Sequence, residues 1–538
     1  MWPSNRDRRE EGLDWAPAAL VAVLILLIQW IFRPVPVGLF QDTGHYLSGA
    51  KALASGKGYA LADWLGQPRI GVYPPGWPAI LSVIWRLDPD FPGNLIHHQG
   101  LMAVLFGGTA GAAFLVMRRL GVPRVAAFAA AAIWGTALRT HEMAVWLMSD
   151  PAFSLLVYGF LLCWLSSKDR SASRWWWMAG VFVTVGMTIR SAGLGLAMGL
   201  GLAGVLAAWR CRGEPRKALG ILVAVTVLPL SWLVGWKLWS RGTYGLEDAV
   251  RNFHPEGRFL EWYLEQRWLD FMNLAVGRMW GEMFCAVFGR ISAVADRYGA
   301  IPFLGVRSVV ILLNALATAW IVRGFWRLRT RDWAGPVFLV AGTYAFFVAA
   351  SPIGEAFLYR YLMPVWPLFG VAAWEGRPRV RHLRPIGLGL FALALAANLA
   401  WLPRAQRHWQ SFFAMDELET ATRWIRENTP PGTPIAVDYA LPFVHIAAAM
   451  DRPLVVDYHH PRWTVSYVGF RQQGYPQAAY SISSDQGYQP SPAEPPAGST
   501  EVFRSVGGHF VVHRLDQARD AVLLEGIRQA ERKRDGGN

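Results

Sequence analysis

The sequence predicts a polytopic α-helical membrane protein with a small α/β domain toward its C-terminal end. Three observations predict it. Of 538 residues, 53% are hydrophobic and only 17% charged, below the usual quarter for a soluble domain. Apolar runs of about 20 residues recur, long enough at helical rise to cross the hydrocarbon of a bilayer. After Trp401 the composition changes to short mixed segments separated by Pro- and Gly-rich turns.

The first run, "LDWAPAALVAVLILLIQWIF", follows Arg6, Arg8 and Arg9 but is followed by "RPVPVGLFQD". No small-residue cleavage site is present there, so an uncleaved first span is expected. The net charge of +14 would suit a nucleic acid if it lined one soluble face. Instead it lies in short clusters between apolar runs: "RRLGVPR", "SSKDRSASR", "WRCRGEPRK", "RGFWRLRTR" and "EGRPRVRHLR". That pattern marks cytoplasmic loops and excludes a nucleic-acid footprint. Placing every cluster inside requires residues 175–209 to cross twice, turning near "IRSAG". With runs near 96–117, 123–138, 147–166, 218–238, 303–322, 333–351, 357–376 and 385–403, about 11 transmembrane helices are expected. The N-terminus is then cytoplasmic and the C-terminus extracytoplasmic.

Two large segments fall outside under this topology: a first loop, 34–95, and a second outer loop, 239–302. The second contains "RFLEWYLEQRWLDFMNLAVGRMW", whose spacing suits either an interfacial amphipathic helix or one packed on the bundle. Residues 1–403 are therefore read as the membrane module and 404–538 as a small extracytoplasmic α/β domain. In that domain "MDELETATRWIREN" reads as a helix; "PIAVDYA", "RPLVVDY" and "GHFVVHRLD" read as strands, and residues 483–500 as a loop.

Ionisable residues collect at the expected outer ends of spans. Asp42 follows span one, and Asp150 with Pro151 opens another. Arg190 sits at the turn in "TIRSAG"; Glu355, Arg360 and Tyr361 open the span near 357–376. Charges inside a bilayer are costly and those at span ends less so, so each alone fits a cap or an interfacial anchor. Their expected gathering on one outer face points to a site. A group-transfer enzyme facing outward needs a donor delivered within the membrane, such as a sugar on a polyprenyl phosphate. Arginine would hold that phosphate, and a carboxylate, Asp42, would take the proton of an acceptor hydroxyl. Tyr46 and Ala50 follow Asp42 at helical spacing, which places the acid at a helix N-terminus, where the dipole favours the charged form. "VYPPGWP" is stiffened by its prolines. It is expected either to present Tyr73 and Trp77 as stacking surfaces or to brace the next segment.

The run "QDTGHYLSGAKALASGKGYALADW…PRIGVYPPGWPAILSVIW" resembles the first-loop signature of GT-C membrane glycosyltransferases. It is most similar to the bacterial branch related to protein O-mannosyltransferases and the lipid A aminoarabinose transferase. The resemblance rests on Asp42, Tyr46, Ala50, Gly56, Gly58, Tyr59, Tyr73, Pro74, Pro75 and Pro78. Further along it rests on Asp150–Pro151, Arg190 with Gly193, and Arg360 to Pro364. It implies the GT-C fold and inverting transfer from a polyprenyl-phosphate sugar in the bacterial inner (plasma) membrane. Asp42 would be the general base and Asp150 a second acid. Arg190, Arg360, Glu355, Tyr46, Tyr59, Tyr73 and Tyr361 would line the donor or substrate site. The acceptor would be a lipid, glycan or protein.

Many relatives carry a second acid directly after the first, whereas Asp42 is followed by Thr43, Gly44 and His45. The first-loop motif therefore does not call for a divalent cation, and no cofactor or metal ligand set is assigned. The three cysteines are scattered, without disulfide or metal spacing. The competing reading is a transporter or flippase of lipid-linked glycans. It would place its charges near the bilayer midplane rather than at one edge.

Overall fold

In a computed structural model the protein is mostly helical, with one five-stranded sheet near the end of the chain. The structure describes residues 14–33, 41–67, 69–71, 73–166, 173–240, 304–328, 334–350, 360–377, 389, 392–403, 414–438, 443–457, 479–484 and 499–515. The second outer loop, Glu355 and the basic tail lie outside these residues. The chain divides into two compact units. One comprises Met1–Arg33, Gln99–Trp239 and Arg258–Ala405; the other Pro34–His98, Ser240–Gly257 and Gln406–Asn538.

The first unit is a bundle of apolar helices. It contains α1 (Trp15–Ile31), most of α4 (Leu95–Arg119), α5 (Arg124–Thr136), α6 (Leu138–Val145) and α7 (Asp150–Ser166). Then come α8 (Ser173–Ile189), α9 (Gly193–Arg210), α10 (Pro215–Trp239), α11 (Leu304–Leu328), α12 (Ala334–Ala350) and α13 (Trp366–Gly376), and last α14 (Ala392–Pro403). Among the described residues α4, α9 and α10 are each long and apolar enough to cross a membrane. The pair α6 and α7 also passes that test as one broken span, bent by 116°. Helix α10 leaves Leu219, Val227, Leu230, Val234 and Leu238 exposed, an apolar surface that suits lipid rather than water.

Small residues let these helices approach closely, as expected where lipid removes any hydrophobic drive for helices to associate. A Cβ on Gly199 of α9 would lie 2.9 Å from the Val340 Cα of α12, so that crossing tolerates only glycine. The stretch expected to cross twice, 175–209, is two helices broken at residues 190–192, because Gly193 opens the second. Helix α6 was not expected as a separate element. Its sequence, "LRTHEMAV", is not apolar, yet Thr140, His141, Glu142, Met143 and Val145 are buried. A side-chain network explains this: Gln29 of α1 donates to the Gly135 carbonyl (2.9 Å) and meets His141 Nδ1 at 2.8 Å.

In the second unit, the described residues of the first loop cluster with the described residues after 406. Helices α2 (Gln41–Ala54) and α3 (Gly76–Leu87) lie against each other. The sheet has order β2-β1-β3-β5-β4. It is built from β1 (Ile435–Asp438), β2 (Leu454–Asp457), β3 (Tyr480–Ser484), β4 (Ser499–Arg504) and β5 (Phe510–Leu515). β1 pairs parallel with β2 and β3; β5 pairs antiparallel with β3 and β4. Three strands fall where the sequence reads them. β3 and β4, which the sequence did not read as strands, flank the segment read as a loop and overlap it by two residues at each end. Helix α15 (Met415–Asn428) turns Leu418, Ala421 and Ile425 inward at helical spacing, and Ile435, Val437, Ile482 and Val512 complete the core. Helix α16 (Phe443–Met450) connects β1 to β2. The edge strand β2 is extended by the first loop: Leu454 donates to the Asp63 carbonyl (3.0 Å) and accepts from the Leu65 amide (2.8 Å). Those bonds form a parallel bridge between Trp64 and Leu454.

At the start of α1, Asp14 accepts from Arg118 Nε at 3.1 Å on both oxygens and from Arg124 Nε at 2.6 Å. One carboxylate thus ties α1 to α4 and α5. Asp14→Ala would leave two guanidiniums facing each other. The expected loss is about 1–3 kcal/mol, read as a fall in the detergent unfolding midpoint; an unchanged midpoint would show that the ties are solvent-screened.

Candidate functional site

In the second unit Asp42 occupies the first turn of α2, as its helical spacing implies. Tyr73 donates its hydroxyl to Asp42 Oδ1 at 2.7 Å. The Tyr73 ring lies 5.2 Å from that of Tyr46, edge to face, and 5.2 Å from that of His45. Its carbonyl accepts from the Tyr59 hydroxyl at 3.0 Å. Burial is the main cause pushing the Tyr59 phenol well above its ordinary pKa, with Tyr46 adding to it, so Tyr59 remains a donor at any physiological pH. A Cβ on Gly49 would stand 2.8 Å from the Tyr59 ring; the absence of a side chain there is what lets the ring lie against α2. The turn into Tyr59 needs glycine for a second reason. Gly56 and Gly58 both have positive φ, +73° and +80°, a region that costs other residues strain. Lys51 pairs with the buried Asp63 at 2.5 Å, which anchors the same loop to α2.

In the first unit three charged side chains meet out of solvent. Asp150 is fully buried at the start of α7, and Arg190 and Arg360 are 5% and 4% exposed. Arg190, at the break between α8 and α9, pairs with Asp150 Oδ1. Arg360 Nε donates to Oδ2 at 3.1 Å. The Arg190 guanidinium also lies 4.0 Å from the centroid of the Tyr361 ring, a cation–π contact that strengthens when water is excluded. The Tyr344 hydroxyl holds the Tyr361 carbonyl at 2.6 Å. Among the described residues the buried Arg190 Nε and Nη2 atoms meet no hydrogen-bond acceptor, and neither does the hydroxyl of Ser149 beside Asp150. Buried N–H groups of a guanidinium are rarely left unmet, and the planar fork matches the oxygens of a phosphate or carboxylate.

Neither a protein-family model nor a curated protein sequence matches this chain. Solved structures do match its fold. ArnT from Cupriavidus metallidurans, bound to undecaprenyl phosphate, superposes with a TM-score of 0.53 at 15% identity, over 93% of this chain and 98% of that one. The archaeal oligosaccharyltransferase AglB from Archaeoglobus fulgidus, in complex with an inhibitory peptide and a dolichol-phosphate, superposes with a TM-score of 0.52 at 13% identity, over 93% and 74%. The chain has the GT-C fold.

Within this GT-C fold the sequence-derived residues form two groups, each internal to one unit. Asp42, Tyr46, Tyr59 and Tyr73 gather in one; Asp150, Arg190, Arg360 and Tyr361 in the other. Glu355 lies outside the described residues. Trp77 is fully buried in α3 and offers no stacking surface; the Pro-Pro segment braces the helix it opens. Two residues were not singled out by the sequence. Tyr344 carries no motif, and Asp63 reveals its pairing with Lys51 only once the loop is folded. The i to i+12 separation of that last pair is not a helical spacing, so nothing local could signal it.

Removing the shared carboxylate should be costly. Asp150→Ala would leave two guanidiniums buried without their counter-ion, a loss of about 3–5 kcal/mol for a broken buried pair. Folded protein recovered from membranes should fall sharply, and wild-type yield with an unchanged unfolding midpoint would contradict the pairing.

Proposed function

We propose that this protein is a multi-pass membrane glycosyltransferase that moves a sugar from a polyprenyl-phosphate-linked donor to an acceptor hydroxyl, with inversion. The observation that carries the reading is the buried Asp150–Arg190–Arg360 group, in which two guanidinium nitrogens of Arg190 meet no acceptor among the described residues. A preformed cationic fork in a dry site suits a leaving phosphate, because it needs no reorganisation as charge develops there. The fold supports the same class of ligand. The ArnT structure is bound to undecaprenyl phosphate and the AglB structure holds a dolichol-phosphate.

In this reading the acceptor hydroxyl attacks the anomeric carbon from the face opposite the phosphate. The new bond forms from the acceptor oxygen as the anomeric C–O bond to phosphate breaks, its electron pair leaving with the polyprenyl phosphate. The acceptor proton passes to Asp42, the general base. Arg190 and Arg360 bind the phosphate, and Asp150 fixes both by holding one nitrogen of each. Tyr361 supports Arg190 from below, and Tyr46, Tyr59 and Tyr73 shape the surroundings of Asp42. The bundle spans the plasma membrane of a bacterium about eleven times, with the N-terminus cytoplasmic and the reaction and C-terminal sheet extracytoplasmic. The basic clusters between apolar runs support that orientation. The C-terminal residues are proposed to select the acceptor.

Asp42→Asn keeps size and polarity but cannot take a proton. Transfer of radiolabelled sugar from the membrane lipid pool should drop about 10²–10⁴-fold, and wild-type transfer would remove Asp42 from the base role. If lipid-linked sugar still crossed the membrane in that variant while transfer stopped, the transporter reading would gain. Arg190→Lys retains charge but loses the fork. Binding of undecaprenyl monophosphate by the full-length protein should weaken about tenfold or more, and unchanged binding would move the phosphate elsewhere.

A further inference from the structure

The sequence stretch from Gly49 to Pro75 contains more order than a lining for substrate requires. Asp42 lies on the first turn of a helix, and an aspartate carboxylate there turns easily, since its terminal torsion is broad and two-fold. A general base works only when the oxygen that takes the proton is already aimed. Something must hold that carboxylate, and the Tyr73 hydroxyl does so, donating to Asp42 Oδ1 at 2.7 Å.

Tyr73 is itself held at three points. Its ring is fixed by His45 and Tyr46, both at 5.2 Å, and both belong to the helix that carries Asp42. Its carbonyl is fixed by the Tyr59 hydroxyl at 3.0 Å. Its following residues, Pro74 and Pro75, restrict the backbone. Tyr59 in turn is buried, with its ring seated on the bare backbone of Gly49. The chain of contacts thus runs from α2 out through Gly49, Tyr59 and Tyr73 and returns to α2 at Asp42.

We propose that Tyr73 is the positioning residue of the reaction: its hydroxyl, tethered through Tyr59 to α2, sets the direction in which the Asp42 carboxylate faces the acceptor. This rests on the reading of Asp42 as the general base. It differs from a stacking role, in which the ring would face the substrate and the hydroxyl would be dispensable. It also differs from a packing role, in which the ring alone would matter. A neutral phenol suits the task, because it supplies one directed hydrogen bond and no competing charge at a carboxylate that must stay free to accept a proton.

The test is Tyr73→Phe in the full-length chain, which keeps the ring and deletes only the hydroxyl. The donor is the lipid-linked sugar fraction extracted from the host's own membranes and returned in detergent micelles, and the acceptor is the host's cell-envelope fraction. The expected result is a fall in kcat of about 10–100-fold, a half-saturating donor concentration within twofold of wild type, and an unchanged unfolding midpoint. Tyr59→Phe, which frees the Tyr73 carbonyl, should lower kcat severalfold in the same manner, and serves if the first variant fails to fold. Asp42→Asn combined with Tyr73→Phe should be no slower than Asp42→Asn alone, since there is no base left to aim. A wild-type kcat in Tyr73→Phe, or a loss confined to donor saturation, overturns the proposal while an inactive Asp42→Asn leaves the base role standing. An active Asp42→Asn removes the base role, and the proposal with it.

Discussion

A carboxylate with no exposure to solvent, Asp150, holds guanidiniums that arrive from a helix break and from a segment more than 200 residues away in the chain. Each of these groups alone would be prohibitive in a bundle surrounded by lipid. Together they are tolerable, because each charge finds its opposite within hydrogen-bond distance. That mutual need fixes the architecture around it. The break between α8 and α9 exists where Arg190 must turn inward. The bend between α6 and α7 brings the N-terminus of α7, with Asp150 on it, to the same place. Helix α12 supplies Tyr344, which holds the Tyr361 carbonyl beneath Arg190.

The first loop solves a different problem, around Asp42 chiefly with neutral groups. Asp42 is only partly buried, and what a base in that position needs is direction. Aromatic rings provide that direction at little entropic expense, having few rotatable bonds. Glycine at 49, 56 and 58 serves the rings rather than flexibility. One lets Tyr59 sit on α2, and the other two turn the chain toward it. The bundle group and the loop group therefore differ in kind. The first is held by charge in a dry interior, the second by packing, single hydrogen bonds and the half-exposed Lys51–Asp63 pair nearer to solvent.

Much of this could be read from the residues beforehand, and the exceptions share a cause. Apolar runs give the helices of the bundle, because hydrophobic length is a local property. Asp42 on a first turn, Asp150 opening a helix and Arg190 at a break are local as well, and each stands where its flanking sequence implies. Helix α6 escaped because it is polar by composition, and its burial depends on Gln29, more than 100 residues earlier. Strands β3 and β4 escaped because "YSISS" and "STEVFR" flank a Pro-rich stretch and have little apolar content; pairing with β5 makes them strands. For "VYPPGWP" the sequence left stacking and bracing both open; Pro75 stands at the helix entrance, a position prolines tolerate, and Trp77 just after it turns inward. The hydroxyl of Tyr73 was legible as a motif residue and not as a donor, since its partner lies 31 positions away.

The β-bridge from Trp64 to Leu454 carries the synthesis one step further. It joins the loop that contains Asp42 to the edge of the C-terminal sheet by two backbone hydrogen bonds, at 2.8 and 3.0 Å. Backbone pairing of this type is indifferent to side-chain identity, but it fixes register and direction. An edge strand left open invites pairing with other chains, and here the loop of the same chain takes one side of β2. Asp63 joins both systems, since its carbonyl completes the bridge while its side chain pairs with Lys51 of α2. The loop thus reaches its final form only after residues almost 400 positions later have folded, a costly closure in chain entropy. Such a closure persists where the late element gives something the early one lacks. For a loop composed largely of turns, that is a rigid edge to lean on.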